Sequence, residues 1–409
     1  MTPFSAKTSG SFTLCTILTI LLILATHPDR TSAQPPPGFI TTHGAGFAVD
    51  GHRFGFGGAN SYKLPWLPPY ELNSTFEDAE ALGLSVIRTF ASVQIGDPSP
   101  ANADATWFSQ GGFTRGETNH VYFQSWDSVS NHMVINDGPD GLPHLDAMIA
   151  AAAQHHARLV VALVDNWNYA GGTVKYCDWH HLPSVALPHS RQSWCPAFYT
   201  DPGVRADFKT WTSTLLNRRN TISGVLYKDD PTIMTWELAN EPAAKSDDLE
   251  PWAADMAKFI HKIDTKHLIT IGDVGFNRSD AEFTRLLKLP HIDYGTVHMY
   301  PAYRQPASTP QACVPILQRY LALGKAHNKP VVLEEFGWSA VHADQAAVYT
   351  QWLNAVRDAQ GGGWQFWVFY GHNRDGGFPR QDSDGFNISK DGSSVTKALS
   401  AAALEMEEQ

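Results

Sequence analysis

An alternation of short apolar strands with helices, repeated eight times, most constrains the fold of this chain. The predicted strands cover residues 54–60, 85–90, 159–165, 233–241, 268–272, 294–299, 330–335 and 364–369. Predicted helices between them include residues 76–82, 142–157, 201–218, 249–263, 311–327 and 344–358. Alternation at this count, without a Pro- or Ser-rich linker, predicts an α/β fold with one (β/α)8 TIM barrel. Long loop insertions are also expected, and the longest, residues 96–137, should shape the cleft.

Two of the predicted strands run from apolar residues directly into acidic ones. The first reaches Asn240-Glu241-Pro242. Because a proline disfavours the helical region for the residue before it, Glu241 is expected to be extended and to end its strand. The second strand reaches Glu334 and Glu335. Barrel enzymes carry their chemistry at the C-terminal ends of strands. A glycosidase needs two carboxylates there, one to protonate the leaving oxygen and one to attack the sugar carbon.

The motifs at three strand ends resemble those of glycoside hydrolase family 5, a retaining (β/α)8 family. They are Asn240-Glu241-Pro242, His298-Met299-Tyr300 and Glu335-Phe336-Gly337, in the family's order. The pattern is most similar to that of the fungal-type endo-β-1,4-mannanase group, and it extends from about residue 47 to residue 388. The resemblance implies hydrolysis through a covalent glycosyl-enzyme, which needs two carboxylates and water but no cofactor and no metal.

The resemblance also assigns the two catalytic roles. Glu241 matches the general acid/base. Glu335 matches the nucleophile, because in the family this residue directly precedes the aromatic-glycine pair. Since adjacent strand residues face opposite sides, Glu334 is expected to point towards the helices.

Seven further positions match residues that surround the substrate in the family: Arg88, Asn166, Trp167, Asn240, His298, Tyr300 and Trp367. The resemblance implies that Arg88 keeps the nucleophile ionised, a task that suits an always-charged guanidinium. Asn240 would bind the sugar 2-hydroxyl, and Tyr300 would contact the nucleophile. Trp367 would stack beneath the sugar and precede a cis peptide bond. Asn166-Trp167 would belong to the outer wall on the glycone side.

Several positions depart from the mannanase pattern. Ala243 stands where many members carry an arginine, and Ala302-Tyr303 stand where the group often has Asp and Trp. Trp338 and the long 177–195 loop add bulk near the cleft. A β-1,4-endoglucanase, another β-glucanase and an exo-acting β-mannosidase therefore remain open, as does a carbohydrate-binding barrel without turnover. The chain has no Gly-x-Ser-x-Gly motif, which argues against a serine hydrolase.

The N-terminal sequence and the net charge restrict where the protein acts and what it binds. Residues 1–33 read as a secretory signal peptide, 34–46 as a short leader and 47–409 as the catalytic domain. We expect a secreted, extracellular monomer with no membrane segment in its mature form. A formal net charge of −11 argues against nucleic acid or an anionic membrane as partner, whereas a neutral polysaccharide needs no charge match.

Cysteines and sequons give two further expectations. Cys177 and Cys195 bracket a loop rich in Pro and His and are expected to form a disulfide, which leaves Cys313 outside the pair. The Asp and His residues beside Cys177 lack zinc-type spacing, so no metal site is expected there. Three Asn-x-Ser/Thr sequons make Asn73, Asn277 and Asn387 candidates for glycosylation.

Overall fold

The computed structural model describes residues 1–3, 38–99, 107–108, 112–187, 192–303, 309–382 and 384–408. The chain divides into two units, Met1–Ser32 and Ala33–Gln409. Apart from residues 1–3, the predicted signal peptide lies outside the described residues, as does the first part of the leader. Every helix and strand of the described residues belongs to the second unit. Within the described part of the chain, no helix has the length and apolar character needed to cross a membrane.

The described residues form strands and helices in regular succession. The strands are β1 (Ile40–His43), β2 (Gly46–Val49), β3 (His52–Phe54), β4 (Phe56–Asn60), β5 (Val86–Phe90), β6 (Gln124–Asp127), β7 (His132–Ile135), β8 (Arg158–Ala162), β9 (Val185–Ala186), β10 (Ser193–Trp194), β11 (Ile233–Glu237), β12 (Leu268–Thr270), β13 (Gly295–Met299), β14 (Val331–Phe336) and β15 (Gly363–Phe366). The helices are α1 (Pro69–Ala81), α2 (Pro143–Gln154), α3 (Gly172–Trp179), α4 (Pro202–Asn217), α5 (Ser246–His261), α6 (Asp280–Leu287), α7 (Pro310–Ala326), α8 (Gln345–Asp358) and α9 (Ser394–Glu407).

Eight of these strands form one parallel sheet in the order β12-β11-β8-β5-β4-β15-β14-β13. The two end strands, β12 and β13, are linked by a backbone hydrogen bond from Asp293 N to Ile269 O of 2.8 Å. A bond of 3.0 Å from the Thr270 hydroxyl to the carbonyl of Tyr294 adds to this link. A helix follows each barrel strand, and α3 is an addition before α4. The predicted (β/α)8 barrel is therefore confirmed.

Local sequence explains where several helices begin. Helix α4 has proline at its first position, and the carboxylate of Asp201 accepts from the N–H groups of Gly203 and Val204. Helix α6 starts with a reciprocal capping box between Ser279 and Glu282. Helices α6 and α9 complete the eight pairs and were not among the helices predicted from the sequence.

The N-terminal end of the barrel is closed by a small antiparallel sheet of β1, β2 and β3. Ile40 of β1 and Phe47 of β2 pack onto a layer of buried side chains from the barrel strands and their starts: Phe56, Val86, Val160, Met234, Leu268, Tyr294 and Val332. The described part of the predicted leader is thus partly a strand. The alternation of apolar and polar residues in β1 was too short to predict a strand. The strand forms because burial of Ile40 shields the end of the barrel core from water.

The insertion after β5 contains an antiparallel hairpin of β6 and β7. A parallel bridge between Gln94 and Gln124 ties this hairpin to the chain that leaves β5. The insertion therefore lies at the C-terminal end of the barrel strands.

The predicted disulfide is confirmed. Cys177 and Cys195 are bonded across a separation of 18 residues and enclose the short β9–β10 hairpin. Cys313 lies buried within α7, outside this bond.

The three sequons differ in accessibility. Asn73 and Asn277 are exposed. Asn387 is only 6% exposed. Its side-chain amide donates to the carbonyl of Arg380 at 2.8 Å. The prediction of glycosylation at Asn387 is therefore wrong, because the amide nitrogen that would carry the sugar is buried and hydrogen-bonded.

We expect the Cys177→Ala/Cys195→Ala double variant to lose about 2–4 kcal/mol of unfolding free energy, because the bond restricts the unfolded chain. Guanidinium denaturation followed by circular dichroism would measure this loss. The matched control is Cys313→Ala, which removes a buried sulfur without opening a loop and should shift the midpoint less. Equal midpoints for the wild-type protein with and without reductant would contradict the prediction.

Candidate active site

Two carboxylates meet at the C-terminal end of the barrel. Glu335 lies on β14, and Glu241 lies in the loop after β11. Oxygens of the two carboxylates and a ring nitrogen of His298 all lie within 4.8 Å of one another. The side chains of Glu241 and Glu335 are 17% and 5% exposed, so both groups are largely shielded from bulk water.

Glu241 is not the extended strand end that the sequence predicted. Strand β11 ends at Glu237, and Glu241 has φ of 49°. The N–H of Asn240 donates to the carbonyl of Val164, which follows β8 in the chain. The N–H of Glu241 instead donates at 2.9 Å to the carbonyl of Gly272, which follows β12. Proline disfavours the right-handed helical region for the preceding residue, but these tertiary bonds select the left-handed one.

The Glu335 carboxylate accepts two hydrogen bonds and has a further cation close by. Arg88 Nη1 donates at 2.6 Å and the Tyr300 hydroxyl at 2.8 Å. His298 Nδ1 lies 3.5 Å away. Burial raises the pKa of Glu335 above its usual value, while His298 and Arg88 oppose that shift. These two cations therefore favour the ionised form of Glu335.

Arg88 is completely buried and also binds a carboxylate that the sequence analysis did not single out. Its Nε and Nη2 each donate to Glu237 at 2.7 Å, a bidentate pair. The remaining donors reach Asn60 at 2.9 Å and Asn240 at 2.7 Å. An acid inside the apolar run of β11 was the available signal, because a buried carboxylate requires a partner.

Glu334 does not face the helices, so that expectation is wrong. The pairing of β13 with β14 shifts register between Val297 and His298, which makes Glu334 an extra residue on β14. A bulge of this kind breaks the strict alternation of side chains. Glu334 is fully buried, 3.1 Å from His298 Nε2 and 3.8 Å from Arg88 Nε.

His298 lies between the acids on both sides of its ring. Nδ1 contacts Glu241 at 2.9 Å and Nε2 contacts Glu334 at 3.1 Å. Burial alone would lower the pKa of His298, but Glu335, Glu241 and Glu334 outweigh it and raise that pKa to about 10. The ring is therefore an imidazolium at neutral pH and donates from both nitrogens.

The same result bears on metal binding. Glu241, His298 and Glu335 could each offer a ligand atom within a small volume. A protonated imidazole has no free lone pair for a metal. The expected absence of a metal and of a cofactor stays a prediction.

Trp167 contacts the carboxylate of Glu241 directly. Its indole Nε1–H donates to Glu241 Oε2 at 2.8 Å, and the ring is half-buried. Trp167 was predicted to lie in the outer wall of the cleft, but its indole lies within hydrogen-bond distance of Glu241.

Asn166 occupies a different position from its neighbour. It is fully buried, and its Oδ1 accepts from the Tyr199 hydroxyl at 2.8 Å and from the Ala243 N–H at 3.3 Å. Its backbone N–H donates to Asn240 O at 3.0 Å. The expectation that Asn166 contacts substrate is therefore corrected, because its side chain has no exposed surface. Asn166 instead binds the backbone on both sides of Glu241, at Asn240 and Ala243.

Asn240 links two parts of the site. Its Oδ1 accepts from Arg88 Nη2, and its Nδ2 donates to Asp165 Oδ1 at 2.8 Å. An amide nitrogen carries two hydrogens, so one N–H of Asn240 is left for another acceptor. Asp165 was not singled out from the sequence.

Half-buried aromatic rings border the site on one side. Trp367 stacks against Tyr62 with ring centroids 5.4 Å apart and an angle of 4° between the planes. Tyr62 in turn stacks against Phe113 of the insertion at 6.0 Å and 3°. The peptide bond between Trp367 and Val368 is cis, as the resemblance implied.

The positions that depart from the mannanase pattern lie at the surface. Ala243 is exposed, Tyr303 is 68% exposed and Trp338 is half-buried. Trp338 stacks on His342 with centroids 4.0 Å apart. Tyr303 packs against Tyr300 with ring centroids 6.2 Å apart, and the N–H of Ala243 donates to Asn166.

Comparison with known proteins identifies a family. Residues 139–380 match the family described as GH family 5 beta-mannosidase-like. Mannan endo-1,4-beta-mannosidase 7 of Arabidopsis thaliana is 30% identical over 355 residues, which cover 79% of this chain and 73% of that protein. Mannan endo-1,4-beta-mannosidase A of Podospora anserina is 27% identical over 87% of this chain and 88% of its own.

A solved structure agrees with these relatives. The endo-1,4-beta-mannanase from Rhizomucor miehei superposes with a TM-score of 0.75 at 30% sequence identity. The alignment covers 91% of this chain and 100% of that one.

The raised pKa of His298 predicts how stability changes with pH. The folded pKa of about 10 exceeds the usual 6.5, so the fold favours the protonated ring. The resulting stabilisation is fully present below pH 6.5, declines as pH rises and is lost above about pH 10. In urea denaturation, the difference in unfolding free energy between wild type and His298→Gln should therefore shrink from pH 6 to pH 9.5. A difference that stays constant would contradict this, and exposed His261→Gln serves as the control.

Proposed function

The chain belongs to glycoside hydrolase family 5, and on that basis we propose that it is an endo-β-1,4-mannanase that hydrolyses mannan-type polysaccharides with retention of anomeric configuration. The single observation that carries the proposal is the closeness of the two catalytic carboxylates. Oxygens of Glu241 and Glu335 lie within 4.8 Å of each other. Retaining glycosidases hold their carboxyl groups about 5–5.5 Å apart, whereas inverting enzymes need roughly 6.5–9.5 Å to admit a water.

The first step forms a bond between a Glu335 oxygen and the anomeric carbon while the bond from that carbon to the leaving oxygen breaks. Glu241 gives its proton to the leaving oxygen. In the second step a water attacks the same carbon, Glu241 takes the water's proton, and the bond to Glu335 breaks. Substrate, water and these two groups account for every atom and proton.

The residues around Glu335 prepare it for attack. Arg88 and Tyr300 hold the carboxylate from two directions, which fixes its orientation and favours its ionised form. Arg88 is itself fixed by Glu237. Asn240 has an N–H left over, which suits the sugar 2-hydroxyl, a contact that strengthens in the transition state.

His298 serves the acid/base instead. As an imidazolium it donates to Glu241, and the Trp167 indole donates to the other oxygen of that carboxylate. Both bonds orient Glu241 and stabilise the carboxylate that remains after it has given up its proton. Trp367 supplies a flat apolar surface for the sugar ring.

Mannan as substrate rests on the relatives, whose names give that polysaccharide. An exo-acting β-mannosidase is the second candidate. Phe113 of the insertion packs on Tyr62, which stacks beside Trp367, so the insertion adds bulk next to the sugar platform. A shortened cleft on that side would favour release of single sugars from chain ends.

The proposal includes secretion and action as a monomer on an extracellular polysaccharide. The predicted signal peptide supports secretion, as does the Cys177–Cys195 disulfide, because such bonds persist in oxidising compartments. Exposed Asn73 and Asn277 are the proposed glycosylation sites. The formal net charge of −11 gives no reason to expect nucleic acid or a membrane as partner.

Turnover of defined polysaccharides tests the function. Galactomannan, glucomannan, a β-1,4-glucan and a β-1,3-glucan would be incubated with wild type, with Glu335→Ala and with the surface control Glu77→Ala. We expect mixed short oligosaccharides from the two mannans alone, formed first as the β-anomer in proton NMR, and no product with Glu335→Ala. Release of monomer only would replace the endo assignment with the exo one, and glucan cleavage would reject mannan as the substrate.

Removal of the indole donor tests the role of Trp167. Trp167→Phe keeps an aromatic ring but loses the hydrogen bond to Glu241. A hydrogen bond to a charged group contributes about 1.5–3 kcal/mol, so kcat should fall roughly 10- to 100-fold. Trp126→Phe in the insertion is the matched control. Unchanged kcat in Trp167→Phe would show that this bond does not contribute to the rate.

A further inference from the structure

Asp165 is a buried carboxylate with no assigned role. It follows β8 and forms a parallel bridge with Asn240, so it lies at the C-terminal end of the barrel strands. Only 3% of the residue is exposed. Burying a carboxylate is costly unless it is hydrogen-bonded, so the groups that bind it indicate what it does.

One bond of Asp165 leads towards the nucleophile. Its Oδ1 accepts from Asn240 Nδ2 at 2.8 Å, and Asn240 Oδ1 accepts from Arg88 Nη2 at 2.7 Å. Arg88 then binds Glu335. With an acceptor on one side and a donor on the other, the Asn240 amide cannot flip without losing both bonds.

The other bond leads towards the acid/base. The same Oδ1 accepts from the backbone N–H of Trp167 at 3.2 Å. The indole of Trp167 donates to Glu241 Oε2 at 2.8 Å. Asp165 has no described hydrogen bond to either catalytic glutamate. It reaches Glu241 through Trp167 and Glu335 through Asn240 and Arg88.

Asp165 is itself held in place by the fold. Its N–H donates to the Ser92 hydroxyl at 2.9 Å, and its carbonyl accepts from the Thr173 N–H at 2.9 Å. Gly172 has φ of 56°, and a Cβ there would lie 2.5 Å from the Asp165 carbonyl and 2.1 Å from that of Trp167. The backbone that carries Asp165 and Trp167 therefore has no room to move towards Gly172.

From this geometry we propose that Asp165 is a positioning residue for both catalytic glutamates. Its carboxylate fixes the amide of Asn240 on the nucleophile side and the backbone of Trp167 on the acid/base side.

The charge of Asp165 adds to its geometric effect. Burial raises the pKa of Asp165 to about 7, although the bonds from Asn240 and Trp167 oppose the shift. The titratable groups whose charges act on it or respond to it are Glu241, Glu335, Tyr169 and Tyr199. Above about pH 7 Asp165 is therefore mostly ionised, and its negative charge then acts on both glutamates.

A second buried aspartate shows what a purely structural role looks like. Asp264 accepts from Trp236 Nε1 at 2.8 Å and contacts His267 at 2.6 Å. Like Asp165 it is buried and binds a tryptophan and one other side chain. Its partners have no described bond to Glu241 or Glu335, which makes Asp264→Asn the matched control.

The test uses the full chain and rests on the proposed function, since it needs a substrate that wild type hydrolyses. In Asp165→Ala both Asn240 and Trp167 lose the carboxylate that accepts their hydrogen bonds. A misplacement of catalytic groups by about 1 Å can lower a rate about 100-fold, so kcat should fall about 100-fold. KM should stay within roughly threefold of the wild-type value. In Asp165→Asn the size and one acceptor remain but the charge is gone. Its kcat should fall less. Because loss of a nearby negative charge lowers the pKa of Glu241, the alkaline limb of its kcat/KM profile should move to lower pH by about half a unit or more.

Asp264→Asn should lower the unfolding midpoint while kcat and the pH profile stay as in wild type. Wild-type kcat in Asp165→Ala, or a wild-type pH profile in Asp165→Asn, would overturn the proposal. If wild type hydrolyses no substrate, the proposed function fails and a crystal structure of Asp165→Ala decides this inference alone. Displacement of the Asn240 amide or the Trp167 indole would support it, and unchanged positions would refute it.

Discussion

The buried guanidinium of Arg88 is the interaction on which the rest of the site depends. Its donors reach side chains that come from β4, β11, the loop after β11 and β14. A carboxylate buried without a cation costs several kcal/mol, so the guanidinium offsets much of the cost of burying these acids. The bidentate ion pair with Glu237 fixes the orientation of the Arg88 guanidinium. In that orientation Nη1 donates to Glu335. Loss of Arg88 would leave Glu237 buried without its bidentate partner and would remove one of the two cations beside Glu335.

His298 complements Arg88 from the opposite side of the cluster. Arg88 binds Glu237 and Glu335, whereas His298 lies between Glu334 and Glu241. The imidazolium therefore couples Glu241, the proposed acid/base, to the fully buried carboxylate of Glu334. Glu334 can take this place only because the bulge on β14 turns two consecutive acids into the barrel end. Glu334 therefore binds His298, and His298 in turn contacts Glu241.

The fold was predictable from local patterns, since each apolar run and each helix is set by residues that are close in sequence. The catalytic pair, Arg88, His298 and Tyr300 also followed from strand ends and from the family resemblance, and they meet as expected. The left-handed backbone of Glu241 did not follow, because bonds to two different strands select it and the proline rule speaks only against the right-handed region. The orientation of Glu334 was missed for a related reason, since a register shift between strands leaves no mark in one strand alone. Burial of Asn166 and Asn387 likewise depends on packing that a single sequence does not reveal.

The small N-terminal sheet has a consequence for how the protein is made. Phe47 packs so closely against the start of β15 that a Cβ on Gly362 would lie 2.6 Å from its ring. Strand β4 likewise pairs with β15, with Phe56 opposite Gly363. These contacts of Phe47 and β4 therefore form only after β15, the eighth barrel strand, has been synthesised. Contacts over so long a stretch of chain form late and slowly. The seam between β4 and β15 is thus the part of the barrel wall that needs both ends of the barrel sequence before it can close.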